Sequence, residues 1–323
     1  MYCQRIPVHG VCRLRSSAVP WLPLGCQIST KGTTCQEGKP DAELRSVKIG
    51  NMNPALYSAN NWLQIGVGRQ LTEWLNPAFQ EDEGDQQYLD IGCGDGAVTR
   101  NVILENSMPC RRLVGTDISS DMVEYAREHH AHPKLAYDVL DICGDMSMFK
   151  KQYGQFRRVY SFFAMHWLED QDKGFKNVEE LMTPDGECLL AYVGSQPAFD
   201  ILEQLATMQR WRAYADCFRR YVPLSNSIAN QRGYMERQLK NAGLKPHTCE
   251  VLRISWKTAS EKALADMFEP LLPLTDNAPA EDREELIRDF MPRLLKHSRD
   301  ETTGDVALRF KLFVVHASKV SKT

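Results

Sequence analysis

The chain has 323 residues, of which 43% are hydrophobic, 25% charged and 9% aromatic, with a formal net charge of -3; this excludes the disordered, collagen-like and fibrous classes. No stretch approaches the roughly 18 apolar residues that a membrane-spanning helix needs, so no membrane insertion is expected. Ten cysteines lie scattered without a CxxC pair, which points to reduced thiols in a cytoplasmic protein and away from a zinc site.

Residues 1–36 carry Arg5, Arg13, Arg15 and Lys31 and no acidic residue, and Pro7, Pro20 and Pro23 interrupt any helix there. Residues 1–51 therefore read as a disordered extension, with an organelle transit segment over 1–36 as the alternative. Seven of the 39 Lys+Arg and three of the 42 Asp+Glu precede Met52, so from there 32 basic residues stand against 39 acidic, a balance of -7. Such a body lacks the electrostatic footprint for a phosphate backbone, and nucleic acid is not expected as a partner.

Leu63, Val67, Leu71, Trp74 and Leu75 recur at spacings near three and four, predicting an amphipathic helix over Tyr57–Leu75. Tyr88–Ile91 is a short apolar run that stops at Gly92, and Ala97–Leu104 follows as helix, giving strand, glycine turn, helix. Arg112–Asp117 reads as a second strand, with Ser119 or Ser120 capping a helix over Met122–His129. Leu135–Asp141, Arg158–Phe163 and Glu187–Val193 are the third, fourth and fifth strands, and Gly174–Met182 is a helix ended by Thr183-Pro184-Asp185-Gly186. Beyond residue 196 the alternation breaks. Ala198–Tyr221 predicts one long or two consecutive helices, and Gln231–Asn241 another, closed by Gly243. Thr248–Lys257 follows as a strand, Glu261–Phe268 and Ala280–His297 as helices, and Ala307–His316 as the last strand. The expected fold is α/β: a doubly wound, mostly parallel, Rossmann-like sheet of seven strands with an antiparallel edge strand. Residues 52–323 form one domain, with a helical lid insertion about 196–244.

Gly92-Cys93-Gly94-Asp95-Gly96 stands where a strand becomes a helix, and its glycines let the backbone turn tightly and approach a ligand. With Ala97 the turn also satisfies the dinucleotide pattern GxGxxG/A, so a nicotinamide enzyme is a competing reading. Three carboxylates separate the two. Asp90, at the end of the first strand, would repel a pyrophosphate and welcome an ammonium group. Asp117, at the end of the second, can accept from both hydroxyls of a ribose, and Asp141, at the end of the third, from an adenine amine. An amino group, a ribose and an adenine without phosphates describe S-adenosylmethionine (SAM). Cys93 reads as a small turn residue, since no activating base lies beside it. His129, His130 and His132 crowd a helix end without i, i+4 spacing, so no metal site is expected there.

Leu89-Asp90-Ile91 followed by the glycine turn resembles the fingerprint of class I methyltransferases. Asn53-Pro54-Ala55-Leu56-Tyr57 with Leu63-Gln64, Leu113–Ser119, Val139-Leu140-Asp141-Ile142, Ser161-Phe162-Phe163-Ala164-Met165-His166-Trp167 and Cys188-Leu189-Leu190 look more specifically like the insect juvenile hormone acid O-methyltransferases. The resemblance covers nearly everything from Met52 onward and is strongest up to Val193. It implies SAM as cofactor, held by Asp90, Gly92, Cys93, Gly94, Asp95, Asp117, Ile118, Met122, Asp141 and Ile142. It also implies that Gln64 and Trp167 hold a substrate carboxylate, and that the substrate is farnesoic acid or juvenile hormone acid. His166 stands open between scaffold and catalyst, because an ionised carboxylate needs no general base.

A positive sulfonium and a negative carboxylate neutralise each other as the new bond forms, so a dry apolar pocket with neutral donors suits the reaction better than an Arg salt bridge. Trp211, Tyr214 and Phe218, on or beside a helical stripe with Met208 and Ala215 and with Tyr221 next to it, are the expected lining for a hydrophobic acid. Two rival readings remain. One is a carboxyl methyltransferase for a small polyacid of the trans-aconitate type, anchored by Arg210, Arg212, Arg219 and Arg220. The other is a SAM-binding regulator without catalysis, which would have no need of Gln64 and Trp167.

Overall fold

The computed structural model describes residues 52–81, 84–274 and 278–320. The extension expected over residues 1–51 lies outside them. Helix α1 (Pro54–Asn60) starts at Asn53, whose side chain accepts the Leu56 N–H, with Pro54 at the first helical position. Asn61 breaks the expected single helix, and α2 (Trp62–Leu75) follows with Leu63, Gln64, Val67 and Leu71 buried along one stripe. Strand β1 (Gln87–Ile91) is buried throughout. The helix after the glycine turn opens with a π segment over Thr99–Ile103 and ends as the short α3 (Leu104–Asn106).

Strand β2 (Arg112–Asp117) leads into α4 (Ser120–His129), capped by the Ser119 hydroxyl, which accepts the Met122 N–H. Strand β3 (Leu135–Val139), helix α5 (Ser147–Tyr153) and strand β4 (Phe156–Phe162) follow. Helix α6 (Gln171–Leu181) is capped by Asp170 and runs into β5 (Met182–Ser195). The Thr183–Gly186 signal survives as an irregularity inside that strand, because Phe156 pairs with Met182 whereas Arg158 already pairs with Glu187.

The segment after β5 is broken into α7 (Pro197–Leu205), a 3-10 stretch over Gln209–Tyr214 and α8 (Ala215–Arg220). Helix α9 (Gln231–Ala242) closes on Gly243 in the left-handed region and is followed by β6 (Leu244–Lys257). Helices α10 (Glu261–Phe268) and α11 (Ala280–Ser298) precede β7 (Ala307–Lys319). No helix of the described residues is long and apolar enough to cross a membrane.

The strands are ordered β3-β2-β1-β4-β5-β7-β6, with β1 to β5 parallel and β7 antiparallel to both of its neighbours. The reversed strand thus stands one place in from the edge. The burial of the two late strands explains the order: β7 is nearly all buried and needs a neighbour on each side, whereas β6 buries only Leu244, Cys249 and Ile254 and can face solvent. A core cluster joins β4, β5 and β7 to α6 and α9 through side chains such as Val159, Phe175, Tyr192, Met235 and Phe313. Because the chain runs β1, β2, β3 to one side and returns to β4 on the other side of β1, the crevice for a ligand opens at the carboxyl ends of β1 and β4.

Candidate active site

At that crevice the backbone of the glycine turn is folded back on the sheet, with the Gly92 and Cys93 N–H groups both donating to the Thr116 carbonyl at 2.7 and 2.8 Å. Gly92 has φ +74°, and a Cβ there would lie 2.1 Å from the Ala164 Cβ, so only glycine lets the turn after β1 touch the segment after β4. Gly94 has φ +54° and lies against the Tyr57 ring of α1, which a Cβ would meet at 3.3 Å. Asp117 fixes the same turn. Its Oδ2 accepts the Gly94 N–H at 3.0 Å and its Oδ1 the Ser119 N–H at 2.9 Å. Burial raises the Asp117 pKa while those N–H groups lower it.

The remaining residues expected around the cofactor divide into three groups. Gly92, Gly94, Asp117 and Met122 line the cleft. Asp90 does not: it is 2% exposed, accepts the Thr99 hydroxyl at 2.6 Å, and desolvation lifts its pKa to about 7. Asp95 is likewise turned inward, where its Oδ2 accepts the Asn61 amide at 2.8 Å and its Oδ1 the Ala97 N–H at 3.3 Å. Cys93 is buried in the turn, and desolvation pushes its thiol well above the usual range, which suits a turn residue and not a nucleophile. Ile118 is exposed beside Asp117, Asp141 is exposed with its Oδ1 accepting the Cys143 N–H at 2.8 Å, and Ile142 is buried next to it.

The cleft encloses about 950 Å³ up to its mouth. Gln64 from α2 and His166 and Trp167 from the 3-10 turn after β4 meet in its wall. Gln64 Oε1 and His166 Nδ1 are buried without a hydrogen-bond partner. Desolvation lowers the His166 pKa to about 3, so the ring is neutral at physiological pH. The Trp167 ring lies 4.5 Å from His166, tilted by 37°, and meets Tyr221 edge-on at 5.2 Å. Apart from Asp117 and Gln196 the rest of the wall is apolar, with Phe162, Phe163, Phe268 and Phe310 among its aromatic side chains, and among the described residues it contains no Lys or Arg.

Sequence reasoning missed two of these residues. Tyr57 covers Gly94, and Phe163 adopts φ 57° directly after β4, a left-handed backbone that nothing in its side chain signals. Tyr221, expected beside the aromatic stripe after β5, does line the cleft and abuts Trp167. The stripe expected to line the substrate pocket is corrected by the structure. Trp211, Tyr214 and Phe218 do not line the cleft; they form an aromatic cluster against α11, with the Trp211 Nε1–H donating to Asp289 at 2.7 Å and the Tyr214 hydroxyl to Asp282. His129 stacks on Tyr125 and His132 Nδ1 accepts the Lys134 N–H, and the described residues include no group of three or more His, Cys, Asp or Glu placed to hold a metal.

A family model described as a methyltransferase domain matches residues 89–186. The juvenile hormone acid O-methyltransferase of Bombyx mori is 30% identical over 278 residues, covering 83% of this chain and 98% of that protein. The chain belongs to the juvenile hormone acid O-methyltransferase family. The Drosophila melanogaster protein of the same name is 27% identical over 278 residues, covering 83% of this chain and 93% of that one. Among solved structures the chain is similar to phosphoethanolamine N-methyltransferase 2 of Haemonchus contortus in complex with SAM, at 18% identity and a TM-score of 0.48, over 82% of this chain and 56% of that one.

As a member of the juvenile hormone acid O-methyltransferase family, the protein is a SAM-dependent carboxyl O-methyltransferase. Its own residues fit that cofactor. The turn at Gly92 and Gly94 leaves a cradle free of side chains, the Asp117 carboxylate faces the cleft at the end of β2, and Ile118 presents apolar surface beside it.

Proposed function

We propose that the enzyme methylates the carboxylate of a hydrophobic monocarboxylic acid, farnesoic acid or juvenile hormone acid, to its methyl ester. The observation that carries this reading is the composition of the cleft wall: its central polar side chains are neutral, no Lys or Arg lines it among the described residues, and apart from Asp117 at the cofactor end and Gln196 the rest is apolar. SAM, when bound, supplies an electrophilic methyl group on a sulfonium.

The chain's part is to orient the acid and exclude water. A carboxylic acid is ionised at neutral pH and attacks without a base. Gln64 and His166 each offer a buried polar atom that lacks a partner, and an unmade buried hydrogen bond is costly. A carboxylate headgroup is the partner they lack: the Gln64 amide reaches it with its N–H by a half rotation, and a neutral His166 donates from whichever nitrogen carries the proton. The Trp167 indole N–H is a third neutral donor in the same wall. None of the three adds a charge that would stabilise the ground-state carboxylate over a transition state in which charge is being neutralised.

The polyacid reading loses its anchors. Arg210, Arg212, Arg219 and Arg220 are exposed and none lines the cleft. Arg210 pairs with Glu285 and Asp289 at 3.3 and 2.9 Å, and Arg219 with Asp216 at 3.0 Å. Methyl-transfer assays across farnesoic acid, juvenile hormone acid, straight-chain fatty acids and trans-aconitate test the proposal. Turnover of the isoprenoid acids with none on aconitate is expected, and preference for aconitate would sink it.

A further inference from the structure

We propose that Tyr221 sets how large an acid the enzyme accepts, by walling the cleft off from a second chamber; this rests on the carboxyl methylation proposed above. The second chamber is open to solvent, spans about 1090 Å³ up to and including its mouth, and lies between the start of α1, the segment after α10 and the first turns of α11. It shares three wall residues with the acid cleft: Met52, Tyr221 and Leu272. Residues that line two spaces at once are the partition between them.

Of the three, Tyr221 carries the largest side chain and is held in place. It is 8% exposed, its N–H donates to the Cys217 and Phe218 carbonyls at the end of α8, and its ring stands edge-on to Trp167 at 5.2 Å. The two spaces also differ in chemistry. Among the described residues only Asp117, at the cofactor end, is charged in the inner cleft, whereas Glu269, Arg283 and Glu284 line the outer chamber among its apolar residues. An apolar chain is therefore better served by the inner space. That space is not all available to the acid, because Gly92, Gly94 and Asp117 belong to the same wall and serve the cofactor. An acid longer than the remainder must pass the Tyr221 ring, and with the ring fixed it is rejected.

The test is methyl-transfer kinetics of the full-length enzyme with geranic, farnesoic and geranylgeranoic acids, a series that grows by one isoprene unit per step. Tyr221→Ala is expected to raise kcat/KM for geranylgeranoic acid relative to farnesoic acid by roughly tenfold or more, through KM. Tyr221→Phe keeps the ring and should leave the ratio unchanged, and Leu272→Ala should shift it in the same direction by less. Loss of support for Trp167 lowers kcat for every acid alike, so the ratio within one variant isolates the size effect. The same ratio in wild type, Tyr221→Ala and Leu272→Ala, at unchanged SAM affinity, overturns the proposal. If no variant methylates any acid, it is the proposed reaction that fails, and calorimetric binding of the same three acids still decides whether Tyr221 is a wall.

Discussion

Asp117 does two things with one carboxylate: it ties the glycine turn to the start of α4 through the Gly94 and Ser119 N–H groups, and it faces the cleft where a ribose can donate to it. Asp117→Ala should weaken SAM binding by roughly tenfold or more, since hydrogen bonds to a charged acceptor contribute about 1.5–3 kcal/mol. Calorimetric titration checks this, and an unchanged dissociation constant in a folded variant would remove Asp117 from the cofactor site. Trp167 makes a different demand. Trp167→Phe retains an aromatic ring against Tyr221 and loses the indole donor, so SAM affinity should hold while kcat on farnesoic acid falls at least severalfold. Equal turnover would leave Trp167 a packing residue. Both residues were legible in the sequence because each sits at a fixed offset from a strand end. Tyr57 was not, because its place in the cleft comes from α1 packing over the sheet, which no local pattern encodes; Tyr221, expected beside the aromatic stripe, is the member of that group that lines the cleft.

At the scale of elements, the long strands and most of the later helices were legible, since period and caps agreed: α10 runs over the expected Glu261–Phe268, and α9 ends at Gly243. Helix α5 was missed because it is seven residues long with no side-chain cap, and Phe149 is its one buried residue. The break between α1 and α2 was hidden in a continuous apolar rhythm; Asn61 interrupts it to reach Asp95. The aromatic stripe after β5 shows the limit of periodicity, which reports that a face is buried and not what it is buried against. Trp211 and Phe218 are 2% and 0% exposed and tie the segment between β5 and α9 to α11. Trp211→Ala should therefore destabilise the fold by about 3–5 kcal/mol, seen in denaturant unfolding, with little change in KM for an acid where the variant is folded. A raised KM with unchanged stability would return Trp211 to the substrate pocket.

For the molecule as a whole, the crevice at the carboxyl end of the sheet is an electrostatic burden until a cation enters it. Asp90, Asp95 and Asp117 converge there, and desolvation raises the pKa of each, that of Asp90 from 3.8 to about 7. A carboxyl that holds its proton more tightly folded than unfolded stabilises the fold below its unfolded pKa, and for Asp90 that contribution is lost as pH rises from 3.8 through about 7. His166 acts with the opposite sign. Its pKa falls from 6.5 to about 3 on folding, so the unfolded chain takes up a proton that the folded one refuses, and stability drops as pH falls below 6.5. Between about pH 5 and 7 Asp90 therefore lowers stability as pH rises, whereas His166, together with His130 and His247, whose pKa values desolvation also lowers, raises it. Relative to wild type, the Tm of ligand-free Asp90→Asn should climb more steeply with pH across that window, and that of His166→Phe less steeply. SAM carries a positive sulfonium and ammonium, which favour the ionised form of Asp117 in the cleft wall and of Asp90 and Asp95 behind it, so the gain in Tm at saturating SAM should grow with pH over the same window. Thermal melts with and without SAM across that range check all three slopes. An Asp90→Asn profile parallel to that of wild type, together with a SAM gain independent of pH, would mean that the carboxylates keep their ordinary ionisation in the folded enzyme and that the crevice is open to water.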